Sequence, residues 1–193
     1  MTEAGVPSAA RQRLLDRIAD HVLEHGRSDL SLSELARAVG SNNRMLLYYF
    51  GSKEEALRLA ADVAFARFPH LEGALRRFAD EEPGLRDRLR RVWDDIAHPE
   101  NRPFLALFFQ QFGVALYRPE RNEELLVRLG VEWVADVRAV LEREGYGEAA
   151  EELATQLVAA WRGLQFALLS GTDAALLRGA HERLVEAFPP PGR

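Results

Sequence analysis

The chain has 193 residues, 47% hydrophobic and 28% charged, which is enough apolar content for one packed domain or a small head fused to a larger body. It has no cysteine, which excludes disulfides, thiolate catalysis and cysteine-based zinc sites, and no run of about 18 apolar residues that would span a membrane. The net charge of −5 argues against indiscriminate nucleic-acid binding, but it is unevenly spread. Residues 1–60 hold eight basic side chains (Arg11, Arg13, Arg17, Arg27, Arg37, Arg44, Lys53, Arg58) against eight acidic ones, so the excess acidity lies in the rest.

The opening MTEAGVPSAARQR lacks the basic-then-apolar layout of a secretory signal, so a cytoplasmic protein is expected. Residues 1–8, with Gly5 and Pro7, read as a mobile arm. A first helix is predicted from about Ala9 to His25, with Leu14, Leu15, Ile18, Ala19, Val22 and Leu23 forming one apolar stripe. Ser31 followed by Glu34 is a capping box that starts a second helix, whose apolar face is Leu32, Leu35, Ala36 and Val39. Gly40 stops it where a left-handed residue is needed. Asn42 and Asn43 can cap a third helix through Arg44, Met45, Leu46, Leu47, Tyr48 and Tyr49. Ser52-Lys-Glu-Glu55 begins a fourth, with a second capping box expected. Helix, glycine turn, then a helix opening Asn-Asn-Arg is the layout of a DNA-reading helix-turn-helix.

In that layout the side chains at the start of the third helix face base edges. Arg44 suits guanine, Asn42 and Asn43 suit adenine, and Met45 suits a thymine methyl, with Tyr48 one turn on. Asn42 has an equal claim as a plain helix cap, and the alternative for Arg44 is a phosphate contact. Lys53 stands in the first turn of a helix, where the dipole disfavours a cation, and a bound phosphate would supply a reason for it. Ser31 offers a hydroxyl or a helix N-terminus to a phosphate, and Tyr49, Arg11 and Arg13 are weaker candidates.

The marks Leu35-Ala36, Gly40, Leu46, Tyr49-Phe50 and Ser52-Lys53-Glu54-Glu55 make Arg11–Leu57 similar to the N-terminal head of a TetR-family transcriptional regulator. The resemblance implies phosphate contact by Lys53. It also implies a pocket in a C-terminal helical bundle whose occupancy alters the spacing of two DNA-binding heads.

Beyond the head, a helix is predicted from Ser52 to about Phe68, ended or kinked at Pro69. Further segments follow over 70–80 and 85–97. The stretch 102–118 is apolar nearly all round and is expected to be buried on nearly all sides. Residues 123–144 form an amphipathic helix carrying Trp133, and 148–169 a heavily apolar one carrying Leu153, Leu157, Trp161, Leu164 and Leu168. Asp173 caps a last helix over 174–188. The expected architecture is all-α with about nine helices: an arm at 1–8, a helix-turn-helix domain at 9–57, an effector-binding and dimerisation domain at 58–188, and a tail at 189–193. Helices 148–169 and 174–188 carry more apolar surface than one core covers. A homodimer through them is therefore expected, which would match two heads to a palindromic operator.

Phe104, Phe108, Phe112, Trp133, Trp161 and Gln165 are the candidate pocket for an apolar or aromatic effector, with Gln110, Gln111 and Arg162 as further polar anchors; plain core packing is the alternative. The five histidines are scattered, and only His21/His25 lie one helical turn apart, so no metal, cofactor or catalytic site is expected. The sequence thus predicts a one-component, ligand-released repressor acting as a homodimer. The competing reading is a helical interaction module that no longer reads DNA.

Overall fold

The computed structural model describes residues 8–26, 30–80, 82–117 and 119–192. Among these, every regular element is helical: α1 (Ala9–His25), α2 (Leu32–Ala38), α3 (Asn43–Phe50), α4 (Lys53–Phe65), α5 (Pro69–Ala79), α6 (Leu85–Ile96), α7 (Arg102–Tyr117), α8 (Glu123–Leu126), α9 (Trp133–Arg143), α10 (Ala150–Leu169) and α11 (Ala174–Ala187). A π-helical turn, Val127–Glu132, joins α8 to α9 without a break, so the described residues build ten rods, close to the expected nine. The chain divides into two compact units, one ending at Phe68 and the other beginning at Pro69.

In the first unit, α1 and α4 pack along their lengths and α2 and α3 seat against them. Leu14, Leu15, Ile18, Ala19 and Val22 of α1 are buried, as are Ala56, Leu57, Ala60, Ala61 and Ala64 of α4. The four alanines of α4 let the two helices approach closely, and this explains the position of the unit boundary. The expected division at 57/58 falls inside α4, whereas the alanine face past residue 57 still packs in the head. Of the expected arm, only Ser8 is among the described residues, and its hydroxyl accepts the Arg11 N–H to cap α1. Pro69 acts as expected. Helix α4 ends at Phe65, three residues bridge, and Pro69 opens α5 at the position that needs no N–H.

The core of the second unit is built from Phe78, Leu89, Val92, Trp93, Ile96, Val137, Leu141, Leu157, Trp161 and Val185, contributed by α5, α6, α9, α10 and α11. Arginines tie these helices together. Arg88, buried on α6, donates to the Phe78 carbonyl at 3.0 Å and also to the Asp80 carbonyl and the Glu144 carboxylate, closing the exposed C-terminal carbonyls of α5. Arg90 grips Glu182 with Nε and a terminal nitrogen at 2.5–3.1 Å, and Arg178 reaches Asp94 at 2.6 Å, both joining α6 to α11. Tyr146 donates to the Pro189 carbonyl at 2.7 Å and stacks edge-on against Phe188, anchoring the start of the tail.

Helix α7 departs from expectation. Leu105, Leu107, Gln111 and Ala115 are buried, but Val114, Leu116 and Tyr117 are more than half exposed. A helix apolar on all sides needs neighbours on all sides, and the described residues of one chain leave Val114, Leu116 and Tyr117 uncovered.

Candidate nucleic-acid interface and effector region

The turn between α2 and α3 is set by local hydrogen bonds. The Ser31 hydroxyl accepts from Glu34 N–H at 3.2 Å, and Ser31 N–H donates to the Glu34 carboxylate at 2.8 Å, so the capping box is complete. At the far end Gly40 adopts φ +61°, and the Ser41 N–H returns to the Ala36 carbonyl at 2.8 Å. Asn42 then caps α3, its side-chain oxygen accepting from Met45 N–H at 3.0 Å. Leu46 and Phe50, buried on the inner face of α3, clamp it to the core. The outer face presents Asn43, Arg44, Leu47 and Tyr48 to solvent, with Tyr48 77% exposed and Met45 half-buried beside them.

These contacts rank the nominated residues. Arg44 and Tyr48 extend outward at helical spacing. The Asn42 oxygen is occupied by the cap, and the Asn43 amide donates to the Ser33 hydroxyl at 2.8 Å, bracing α3 against α2. Lys53, the misplaced cation, has a structural reason missed in the sequence: its ammonium donates to the Leu30 carbonyl at 2.8 Å and ties α4 to the strap before α2. Ser31 stands beside Glu34, whose carboxyl is held below its usual range by the Ser31 hydrogen bonds, so the start of α2 already carries an anion. Arg11 donates to the Tyr49 carbonyl at 3.3 Å and lies over the Phe50 ring, capping the end of α3. At α4 only half of the expected second box forms. The Ser52 hydroxyl caps Glu55 N–H, but the Glu55 carboxylate turns to Arg58 at 2.7 Å.

In the second unit the six nominated pocket residues separate into two environments. Trp161 is fully buried in the core; its indole N–H donates to His181 Nε2 at 3.1 Å, and its ring stacks on Trp133 at 5.7 Å. Gln165 is buried one turn on. Phe108, Phe112 and Trp133 instead form a half-buried box around the Arg162 guanidinium, 5.8 Å or less from each ring. Burial pulls the Arg162 pKa down to about 10. The Trp133 indole N–H is buried and has no hydrogen-bond partner among the described residues. Phe104 is half-buried on α7, one turn before Phe108. A separate groove of about 280 Å³ runs between α5 and α9, lined by Leu75, Arg76, Ala79, Asp136, Ala139, Val140 and Arg143, and includes none of the nominated six.

A helix-turn-helix on a four-helix head, followed by a bundle of longer helices, is shared with solved proteins over nearly the whole chain. A putative TetR-family transcriptional regulator from Rhodococcus sp. superposes with a TM-score of 0.73 at 19% identity, covering 93% of this chain and 98% of that one. The fold is that of the TetR-family regulators. Within it, the multidrug binding protein EbrR, solved with imidazole, superposes with a TM-score of 0.64 at 26% identity, over 94% of this chain and 96% of its own. In sequence, the chain is 31% identical over 109 residues to the HTH-type transcriptional repressor NicS of Pseudomonas putida, and spans about half (51%) of that relative's length. No family sequence model matches the chain. Among the described residues, no helix is long and apolar enough to cross a membrane.

Proposed function

We propose that this protein is a one-component transcriptional repressor that reads a palindromic operator as a homodimer and is released by a small apolar or aromatic ligand. The observation that carries the reading is the two-sided character of α3. Leu46 and Phe50 lock one face into the core while Arg44 and Tyr48 are exposed on the other. A helix held rigidly from behind, with a long cation and a phenol outward, is built to lie in a major groove. Arg44 is the principal base-edge contact, and Tyr48 and Met45 shape the groove contact around it. Asn42 and Asn43 mainly hold α3 in place, and Lys53 and Ser31 support the backbone approach. The TetR-like fold and the repressor relative support the same reading.

Dimerisation would use α10 and α11. Phe166 on α10 and Leu176 on α11 are more than 60% exposed, and the exposed Ala159, Gly163, Gly179 and Ala180 are small enough for close helix approach. The effector would enter at the box of Phe108, Phe112 and Trp133, where a guanidinium and an unmet indole N–H provide polar anchors within an aromatic wall. Operator and effector would select different separations of the two heads.

The test is binding to DNA upstream of the protein's own gene, or to a selected operator, across a salt series. Arg44→Ala should weaken specific binding by about 1–3 kcal/mol, roughly 5- to 150-fold, with unchanged thermal stability. Equal binding by wild type and variant would favour an interaction module that does not read DNA. Phe166→Glu combined with Leu176→Glu should convert a dimer to a monomer in sedimentation velocity.

A further inference from the structure

The fold brings together two histidines that lie 28 positions apart in the sequence. His70 is the second residue of α5, and His98 caps the short 3₁₀ turn Pro99–Asn101 after α6. Their rings stack with centroids 3.9 Å apart and planes within 16°. Glu100 completes the cluster, and one ligand atom from each of the three lies within 4.8 Å of the others. We infer that His70, His98 and Glu100 form a binding site for a divalent transition metal, Zn²⁺ being the ion whose preferred donors they match.

The donor set is the first reason. Two imidazoles and one carboxylate, with water in the fourth position, is a recurrent three-ligand zinc arrangement, and imidazole favours zinc, copper and nickel over magnesium or calcium. The geometry is the second. Two ligand atoms about 2.05 Å from a tetrahedral ion stand about 3.3 Å apart, so donors already within 4.8 Å need to close by no more than roughly 1.5 Å, with the two stacked rings turning out of parallel so that their in-plane lone pairs converge. His70 and His98 are only partly buried and Glu100 is exposed, so the side chains can make that movement and an ion in solution can reach them.

The surroundings supply the third reason, because they fix the histidines from behind. His70 Nδ1 lies 3.5 Å from Asp95, the carboxylate partner that directs the other ring nitrogen toward a metal. Arg77 holds that frame, donating to Asp95 at 2.7 Å and to the His70 carbonyl at 2.6 Å. Gly73 permits this, since a Cβ there would sit 1.9 Å from the Arg77 guanidinium. On the other side Asn101, fully buried, donates to the carbonyls of Asp95 at 2.6 Å and Ile96 at 3.2 Å, pinning the corner that carries His98 and Glu100. The His98 Nδ1 lone pair meets a long 3.4 Å approach from Glu100 N–H, with the Glu100 carboxylate 3.9 Å away, so little is lost when a metal takes it. Asp95 and Arg77 are positioning residues, and a bound ion would fasten the first turn of α5 to the α6–α7 corner.

The experiment is isothermal titration of the untagged, full-length, chelator-treated protein with ZnCl₂, with Co²⁺ visible absorption as a second readout. One Zn²⁺ per chain and a tetrahedral Co²⁺ spectrum are expected. His70→Gln or His98→Gln should weaken binding at least 100-fold, and Asp95→Asn about 10- to 100-fold. The double variant His21→Gln, His25→Gln, which removes the stacked pair on α1, should bind as wild type does. Absence of binding by the wild type overturns the proposal, as does undiminished binding by both single histidine variants or loss confined to the α1 double variant. Should the histidine variants fail to fold, Glu100→Gln decides, because an exposed glutamine leaves the fold intact: tenfold or greater weakening sustains the site, and unchanged affinity overturns it.

Discussion

The two units of this chain use different means to hold helices in place. In the head, the short elements are started and turned by their neighbours in sequence: Ser31, Asn42 and Ser52 start helices and Gly40 turns the chain, while a stripe of small and aliphatic residues closes the core and two longer ties, Arg11 to Tyr49 and Lys53 to Leu30, brace them. In the body, the decisive links are distant pairs. Arg88 joins α6 to the ends of α5 and α9, Arg90 and Arg178 join α6 to α11, and Trp161 of α10 bonds to His181 of α11. Local rules therefore specify the part that would meet DNA, whose shape must stay constant. Long-range polar pairs inside aromatic packing specify the part that would respond to a ligand, where two arrangements must lie close in energy.

The comparison is broken most severely at Arg88. Arg88→Ala removes a buried guanidinium, releases the Glu144 carboxylate and strands the Phe78 and Asp80 carbonyls. A loss of about 2–4 kcal/mol is expected, mainly from the two carbonyls left without their donor, since the Glu144 side chain is 30% exposed and can turn to water. Urea unfolding followed by tryptophan fluorescence checks it, since Trp93, Trp133 and Trp161 all lie in the body and report that unit alone. A change below 1 kcal/mol would mean that the body does not depend on its arginine crosslinks.

The next effect is expected at His181, where pH is the lever. Burial lowers its pKa to about 4 from the ordinary 6.5, and as a neutral ring it accepts the Trp161 N–H. The unfolded chain binds a proton here as pH falls below about 6.5, while the folded chain does so only near 4. Stability from this residue is therefore whole above about pH 6.5, declines as pH drops through that window, and is lost by roughly 3 kcal/mol at the acid end. His181→Gln, whose side-chain oxygen can still accept from Trp161, should flatten that part of the curve of Tm against pH. An unchanged slope would place the acid sensitivity elsewhere.

How much of this was legible in the sequence follows the same division. The helices, the Gly40 turn, the caps at Asn42 and Asp173, and the break at Pro69 are all local, and the structure repeats them. The role of Lys53 was not legible, because the Leu30 carbonyl that receives its ammonium is 23 residues away. The composition of α7, apolar all round, predicts a buried helix, but composition does not tell how many neighbours a chain provides. The pairing of His70 with His98 is a tertiary event with no periodic signal, whereas His21 and His25 stand at helical spacing in the sequence. The sequence groups the aromatic residues of the body together, whereas the fold separates Trp161, a core residue, from Phe108 and Phe112 beside Arg162.

The finest test of the comparison is at Asn42, where a cap and a base contact would use the same amide. Asn42→Ala should cost about 1 kcal/mol, the ordinary value of a lost N-cap, because the Met45 N–H loses its acceptor. Asn42→Ser keeps a capping oxygen and removes the amide that could pair with adenine. If the head is defined by local backbone contacts, the serine variant should match wild type in both thermal stability and operator affinity, measured by fluorescence anisotropy. Wild-type stability with operator affinity reduced by tenfold would show that the amide also reads a base. The N-cap residue of α3 would then belong to the recognition surface with Arg44, and the division between holding α3 and reading with it would run through a single side chain.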